Sequence, residues 1–408
     1  MSLIKILLKN KSGNYVIISQ VINACIGIIA GKFIAIYVLP DEFGEYNIQF
    51  ATFTFFSTLL ISPFLQFLKA TNKSLLPRLG TKMFLNILIP LLLIMSICLL
   101  VFTYLYLKEI DLTLFVILLL YTLFLVMYSG VLDYLNVNNS LIEFSKMSVL
   151  KSLSGLLFLI GVFLFGANFV SSIETLWLMQ LIGVICATIF FFKSYTIYKS
   201  RFKVGYKSFY RKYFRFAWPL MIMSFWAWIN NYFDRYAIEY FMETNQVGIY
   251  NANYGLGSKF FLLISPVFMV MITPKIYSVL KLDVKKTTII KYAKYYALTG
   301  VFVLSIIFVF RNLIGNLLLS DSYSEGFFLI FWIALAFFII TLTYLFESIF
   351  YALHKTNIIL KGNIISAIFN VVLNIVLIPN FGLTGAFLAT LLSFSIHFIY
   401  INMKFYKL

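Results

Sequence analysis

Charge is scarce in this sequence. Of its 408 residues only 12% are Asp, Glu, Lys or Arg, about half the share found in soluble domains. Histidine occurs twice and cysteine three times, which leaves little material for metal or nucleophile chemistry. Cys25, Cys98 and Cys186 all lie inside apolar runs and read as packing residues, not as a disulfide framework or a metal cluster. His354 and His397 are far apart in sequence, and neither has an acidic or cysteine neighbour at a metal or nucleophile spacing. A P-loop is also lacking, so hydrolysis of ATP is not indicated. No catalytic constellation emerges, and no cofactor is expected.

Apolar residues are what the chain has instead: 62% of the total, 19% aromatic, with a mean hydropathy of +0.95. One soluble core could not bury that much, and the residues fall in runs of about twenty, the length that crosses a bilayer. About twelve spans of roughly 22 residues would occupy about 264 residues. The remainder, divided among tails and loops, holds no soluble catalytic domain. The first run follows Lys5, Lys9 and Lys11. It is longer than a signal-peptide core and lacks a small-residue cleavage site, so it reads as a retained first span.

The net charge of +17 would suggest a nucleic acid only if the basic residues shared one soluble face. They sort instead into alternating loops. Lys69 to Lys82, Lys146 with Lys151, Lys193 to Arg215, Lys275 to Lys294, Lys355 with Lys361, and both tails fall on one side. By the positive-inside rule that side and both termini are cytoplasmic. Asp41, Glu42, Glu45, Glu109 and Asp111 collect in opposite loops. The charge thus reports topology, and no nucleic-acid partner is expected. The run Lys193 to Arg215, with interleaved tyrosines, reads as an amphipathic linker on anionic membrane lipid.

That linker separates two groups of six spans, giving an expected organisation of 1–192, 193–215 and 216–408. The groups carry matching sequence. YVLPDEFGEYN (Tyr37 to Asn47) corresponds to FMETNQVGIYN (Phe241 to Asn251), with Gly44, Tyr46 and Asn47 opposite Gly248, Tyr250 and Asn251. Pro77 and Arg78 correspond to Pro274 and Lys275 at the other ends of the second and eighth spans. Both matches, in the same orientation, point to a duplicated six-helix unit, a recurrent transporter architecture.

An ionisable residue in mid-membrane costs about 2.5 to 3.5 kcal/mol on insertion scales and usually faces an interior cavity. Lys32, Arg235 and Lys259 lie about 9 to 15 Å below the outer surface by helical rise, which suggests a cationic layer suited to an anionic head group. In FWAWINNYFDRY, before and around Arg235, Trp228 offers a flat face for a sugar and Asn231 an amide for hydroxyls. Snorkelling, or pairing of Arg235 with Asp234 or Glu239, is the structural alternative. Asp234 is accordingly a substrate contact or a charge partner. Asp133 and Glu347 occupy equivalent helices near their cytoplasmic ends. They are open to two roles, proton or sodium coupling and capping or pairing with the basic loops.

The segments Asn230 to Ser258 and Asn370 to Ser393, the latter with Asn374, Pro379, Gly382, Gly385 and Ala386, resemble the polysaccharide flippases of the multidrug/oligosaccharidyl-lipid/polysaccharide exporter superfamily. FGEYN, Phe43 to Asn47, is similar to that family's first outer loop. The resemblance implies an all-α polytopic fold of about twelve transmembrane helices in two pseudo-repeated bundles around a cleft. It further implies a Wzx-type O-antigen flippase in the bacterial inner membrane. Such a protein moves an undecaprenyl-diphosphate-linked oligosaccharide outward, with basic cavity residues that by position correspond to Lys32, Arg235 and Lys259. Other polysaccharide-assembly proteins are candidate partners. A multidrug exporter of the superfamily and a membrane-bound polymerase or glycosyltransferase are the competing functions.

Overall fold

The computed structural model describes residues 11–71, 81–107, 111–165, 172–191, 206–279 and 281–408. Expectations resting on Lys73, Pro77, Arg78, Lys108 and Glu109, and on 193–205 of the linker, lie outside the described residues. The described residues form twelve long helices and no strand. They are α1 (Lys11–Tyr37), α2 (Pro40–Thr71), α3 (Thr81–Leu107), α4 (Leu112–Val137), α5 (Leu141–Phe165), α6 (Ser172–Phe191), α7 (Tyr206–Phe241), α8 (Thr244–Tyr277), α9 (Leu282–Leu318), α10 (Phe327–Ala352), α11 (Thr356–Phe381) and α12 (Leu383–Tyr406). The protein is an all-α polytopic membrane protein. Eleven of these helices are long and apolar enough to span a bilayer. Many of their large side chains, such as Leu298, Phe302 and Val309 of α9, point outward, as a hydrocarbon solvent permits.

α7 is the exception to that apolarity. Its 36 residues begin ten before the span expected from sequence, because Tyr206 to Arg215 continues the helix. In these first turns Phe209 and Tyr213 are buried while Lys207, Arg211, Lys212 and Arg215 are exposed. Phe209 packs on Phe84 at 5.2 Å, and Tyr213 and Phe216 pack on Phe67 at 5.4 and 5.5 Å. This part of the expected linker is therefore a docked helix.

The helices group into two compact units. One comprises Met1–Tyr37 with Gln49–Phe225, the other Val38–Ile48 with Trp226–Leu408. The aromatic contacts of Phe209 and Tyr213 hold the start of α7 in the first unit. The start of α2 belongs to the second unit for a different reason, which lies in the repeated glycines.

Within the second unit the N-terminal turns of α2 and α8 cross at Gly44 and Gly248. A Cβ on Gly44 would strike the Thr244 carbonyl, and one on Gly248 would strike the Pro40 carbonyl. The contact is reciprocal between positions 204 residues apart, and Asn245 donates to its own counterpart Asp41 at 3.4 Å across the same crossing. Backbones approach this closely only where both residues lack side chains. Tyr323, in the 3-10 turn Asp321–Gly326 that leads into α10, closes the region by donating from its hydroxyl to the Val38 carbonyl at 2.9 Å.

The duplication also recurs where sequence identity has vanished. α4 ends on Asn139 at φ 58° and α10 on His354 at φ 55°. Ser140 N–H donates to the Leu135 carbonyl at 2.9 Å and Lys355 N–H to the Phe350 carbonyl at 2.8 Å, the same closing bond with a left-handed residue that ends many helices. Between α11 and α12 a single residue, Gly382, turns the chain with φ 56° and ψ −135°, a region that only glycine occupies readily.

The crossing sets an expectation for stability. Gly44→Ala and Gly248→Ala should each destabilise by about 1–3 kcal/mol through overpacking, seen as a lower melting midpoint of purified protein. Gly27→Ala, where a Cβ meets nothing within 4 Å, should leave the midpoint unchanged or raise it. Equal behaviour of all three variants would rule out a tight crossing.

Candidate functional site

The polar side chains of α7 converge on a buried ion pair. Asp234 and Arg235 are only 3% and 6% exposed. Adjacent residues on a helix diverge by about 100°, but the long arginine folds back so that its Nη1 donates to Asp234 Oδ1 at 2.9 Å. The same nitrogen also reaches the Asn231 carbonyl one turn earlier. Tyr250 of α8 donates its hydroxyl to Asp234 Oδ2 at 2.8 Å, so both carboxylate oxygens are engaged. The guanidinium lies over the rings of Tyr232 and Tyr254, 4.7 and 5.2 Å from their centroids, a geometry that attracts a cation to the π faces.

Behind this pair runs an amide and hydroxyl network over α7, α11 and α12. Asn230 donates to the Asn363 carbonyl at 3.1 Å, and Ser366 donates to Asn230 Oδ1 at 3.1 Å. Asn370 donates to Ser393 Oγ at 3.3 Å, and Asn374 donates to Asn370 Oδ1 at 3.0 Å. Asn230, Ser366, Asn370, Asn374 and Ser393 are buried, and each bond offsets a desolvation cost of about 1–3 kcal/mol.

The other residues singled out from sequence fall in several places. Trp228 stacks along its own helix with Tyr232 at 6.1 Å and packs at a tilt on Tyr236 at 5.7 Å. Asn231 is exposed, its amide donating to the Ala227 carbonyl at 2.6 Å. Lys259 is half-buried on α8, a little more than a turn beyond Tyr254. Lys32 is half-buried on α1, in the first unit. The structure thus joins Arg235 to Asp234, so its charge is internally matched.

The two carboxylates near the other helix ends differ. Asp133 of α4 pairs with Lys69 of α2 at 2.8 Å, both partly exposed. Glu347 of α10 is buried, with its Oε1 3.0 Å from Nε2 of His397 on α12. These two atoms are close but not aligned as a hydrogen bond, and neither has another hydrogen-bond partner among the described residues. The imidazole occupies the space left by Gly362 of α11, where a Cβ would come within 2.8 Å of Nε2.

His397 and Tyr250 are among the residues that sequence reasoning did not assign to the site. His397 could be found by helical periodicity, since Phe394, His397, Ile401 and Phe405 share the buried face of α12. Tyr250 was visible as a repeat residue, but nothing in its separation from Asp234 signals the hydroxyl bond.

A family model described as "Polysaccharide biosynthesis protein" matches residues 10–280. The chain belongs to the polysaccharide biosynthesis protein family. No curated protein matches it. Among solved structures, this polysaccharide biosynthesis protein is similar to an inward-facing multidrug resistance MATE family transporter of the MOP superfamily, with a TM-score of 0.63 at 12% identity, covering 94% of this chain and 95% of that one. It is equally similar to the lipid II flippase MurJ in an inward closed conformation, with a TM-score of 0.63 at 16% identity, covering 95% and 86%. A MOP superfamily transporter from Pyrococcus furiosus matches with a TM-score of 0.57 at 12% identity, covering 96% and 94%. At these identities the likeness establishes the fold.

The pair yields a stability prediction for the polysaccharide biosynthesis protein. Asp234→Asn strands a buried guanidinium and should cost about 3–5 kcal/mol, read as loss of monodisperse protein or a much lower melting midpoint. Adding Arg235→Gln to it should recover a substantial part of that loss. A double variant as unstable as Asp234→Asn alone would mean that the pairing is not what matters.

Proposed function

We propose that this protein is a flippase. Its substrate is an undecaprenyl-diphosphate-linked oligosaccharide, an O-antigen repeat unit or related surface glycan, carried by alternating access from the cytoplasmic to the outer leaflet of the bacterial inner membrane. Both termini are cytoplasmic in this reading. The observation that carries it is membership of a polysaccharide biosynthesis family by a chain that is almost wholly membrane helix. Such a chain has little room for a soluble synthetic domain, and translocation is the step of polymer assembly that requires only a path through lipid. The resemblance of its fold to a lipid II flippase supports the same reading.

The physics of that substrate divides it in two. The diphosphate and sugars cannot cross hydrocarbon unaided, whereas the prenyl tail is soluble in it. Lys32 and Lys259, half-buried in apolar helices, are proposed to offset dehydration of the diphosphate. Arg235, matched by Asp234, acts through guanidinium hydrogens that remain after pairing. Trp228 and the exposed Asn231 are proposed sugar contacts. Binding must stay weak enough for release.

Transport against a gradient needs an energy source, and the carboxylates are the candidates. Glu347 beside His397 is the better one, because the pair is buried and taking up a proton there changes a charge in low dielectric. Asp133 already has Lys69 as its counter-ion.

A multidrug exporter is the second reading, favoured by the equal TM-score of the MATE transporter and by the neutralisation of Arg235. One assay separates the two. Purified protein in sealed proteoliposomes, with an undecaprenyl-diphosphate oligosaccharide and an impermeant glycosidase, should show protein-dependent transfer of glycan between leaflets. Lys32→Ala and Lys259→Ala should each slow it roughly tenfold, the loss of one charge-assisted hydrogen bond. Absence of transfer in folded protein, together with drug resistance on expression, would select the exporter.

The coupling role has its own test. With a proton gradient imposed on the same vesicles, Glu347→Gln should abolish the stimulation of transfer while Asp133→Asn retains it. Stimulation that survives in Glu347→Gln would remove Glu347 from the coupling path.

A further inference from the structure

We propose that a groove in the first unit seats the acyl chain of an anionic phospholipid, a site that does not depend on the flippase reading. The groove lies among α2, α3 and α4, has a volume of about 180 Å³ and is lined by Phe64, Leu68, Phe84, Leu88, Val126 and Gly130. An apolar cavity of about 150 Å³ accepts benzene, so this one takes a stretch of hydrocarbon chain and not a hydrated head group. Leu85 and Met127 also line it and are exposed, which opens it to chains in the surrounding bilayer. Its depth comes from Gly130, where an added Cβ would meet nothing within 4 Å.

Charge decides which lipid. Lys82 follows the lining residue Thr81 and is exposed. The first turns of α7 are fixed against the same wall, because Phe209 packs on Phe84 and the Tyr210 hydroxyl donates to the Asn86 carbonyl at 3.1 Å. That docking leaves Lys207 and Arg211 exposed at the groove's end of the unit. The acidic residue just beyond the groove on α4, Asp133, is neutralised by Lys69 at 2.8 Å. Among the described residues, the exposed Lys82, Lys207 and Arg211 make this end positive, and they complement the net negative charge of an anionic head group held at the interface while the chain lies in the groove. Basic residues near a membrane surface each favour anionic lipid. A zwitterionic lipid has the same phosphodiester with its own cation beside it, so it gains less from these side chains.

The test uses the full chain in phosphatidylcholine vesicles containing a minority of phosphatidylglycerol, with an acyl-chain photoreactive group on one lipid or the other and the adducts mapped by mass spectrometry. Phosphatidylglycerol should label α2, α3 and α4 in clear excess over phosphatidylcholine. Gly130→Phe should remove the excess by filling the groove, and Gly130→Ala should keep it. Lys82→Gln and Lys207→Gln should lower it roughly fivefold per charge, and these surface variants decide the matter if Gly130→Phe does not fold. Equal labelling by the two lipids would overturn the proposal. So would an excess that survives the charge variants, and displacement by undecaprenyl phosphate that is insensitive to those variants would assign the groove to a prenyl chain instead.

Discussion

Hydrocarbon offers no hydrogen-bond partner, so a polar group that this chain carries into the membrane is costly unless it finds one within the chain. The helices satisfy the backbone. Side-chain hydroxyls turn back to carbonyls of their own helix, as Thr122 does to Leu118 at 2.8 Å and Thr188 to Val184 at 2.6 Å. Groups too polar for that solution collect where neighbouring helices can answer them. The Asp234 carboxylate takes Arg235 and Tyr250, and the amides of α7 and α11 form a ladder with the hydroxyls of α11 and α12. The site is thus a consequence of the same rule that makes the fold all-helical.

The duplication supplies the positions on which this solution is built. Gly44 and Gly248 let two helix starts touch through their backbones. That approach settles the first turns of α8, and Tyr250, two residues beyond Gly248, then presents its hydroxyl to Asp234. Its counterpart Tyr46 is also buried, but the residue 204 positions before Asp234 is Ala30, which has no carboxylate to receive a bond. A symmetric scaffold has in this way acquired an asymmetric polar site. The repeat explains where the tyrosine stands, and the local chemistry of α7 explains what it does there.

How much of this was legible in the sequence follows from the range of each signal. Apolar run length acts along the chain, so the helices could be read directly. Pairings between helices could not. Glu347 and His397 come from α10 and α12, and their meeting depends on the gap at Gly362 in α11. Arg235 could be read either as a bare cation or as the partner of Asp234, and only the arginine rotamer distinguishes the two. The start of α7 falls in the basic stretch read from sequence as an amphipathic linker, where a high density of Lys and Arg obscures the point at which the helix begins. The buried Phe209 and Tyr213, one turn apart, were the helical signal within it.

α7 is also the helix whose composition most resists a purely structural explanation. Within six residues it holds Asn230, Asn231, Asp234 and Arg235, and it alone among the twelve described helices falls short of the apolarity that marks a span. Well-packed apolar residues often replace a buried ion pair without loss of stability, and sometimes with a gain. Packing by itself therefore gives no reason to place that pair, with its tyrosine cradle, inside a membrane helix. The half-buried Lys259 and the exposed Asn231 amide lie on the same two helices that form the pair. On the proposed flippase reading, a path that holds a charged head group for a limited time needs polar groups held in place by their neighbours, and the polar side chains of α7 and α8 are proposed for that role.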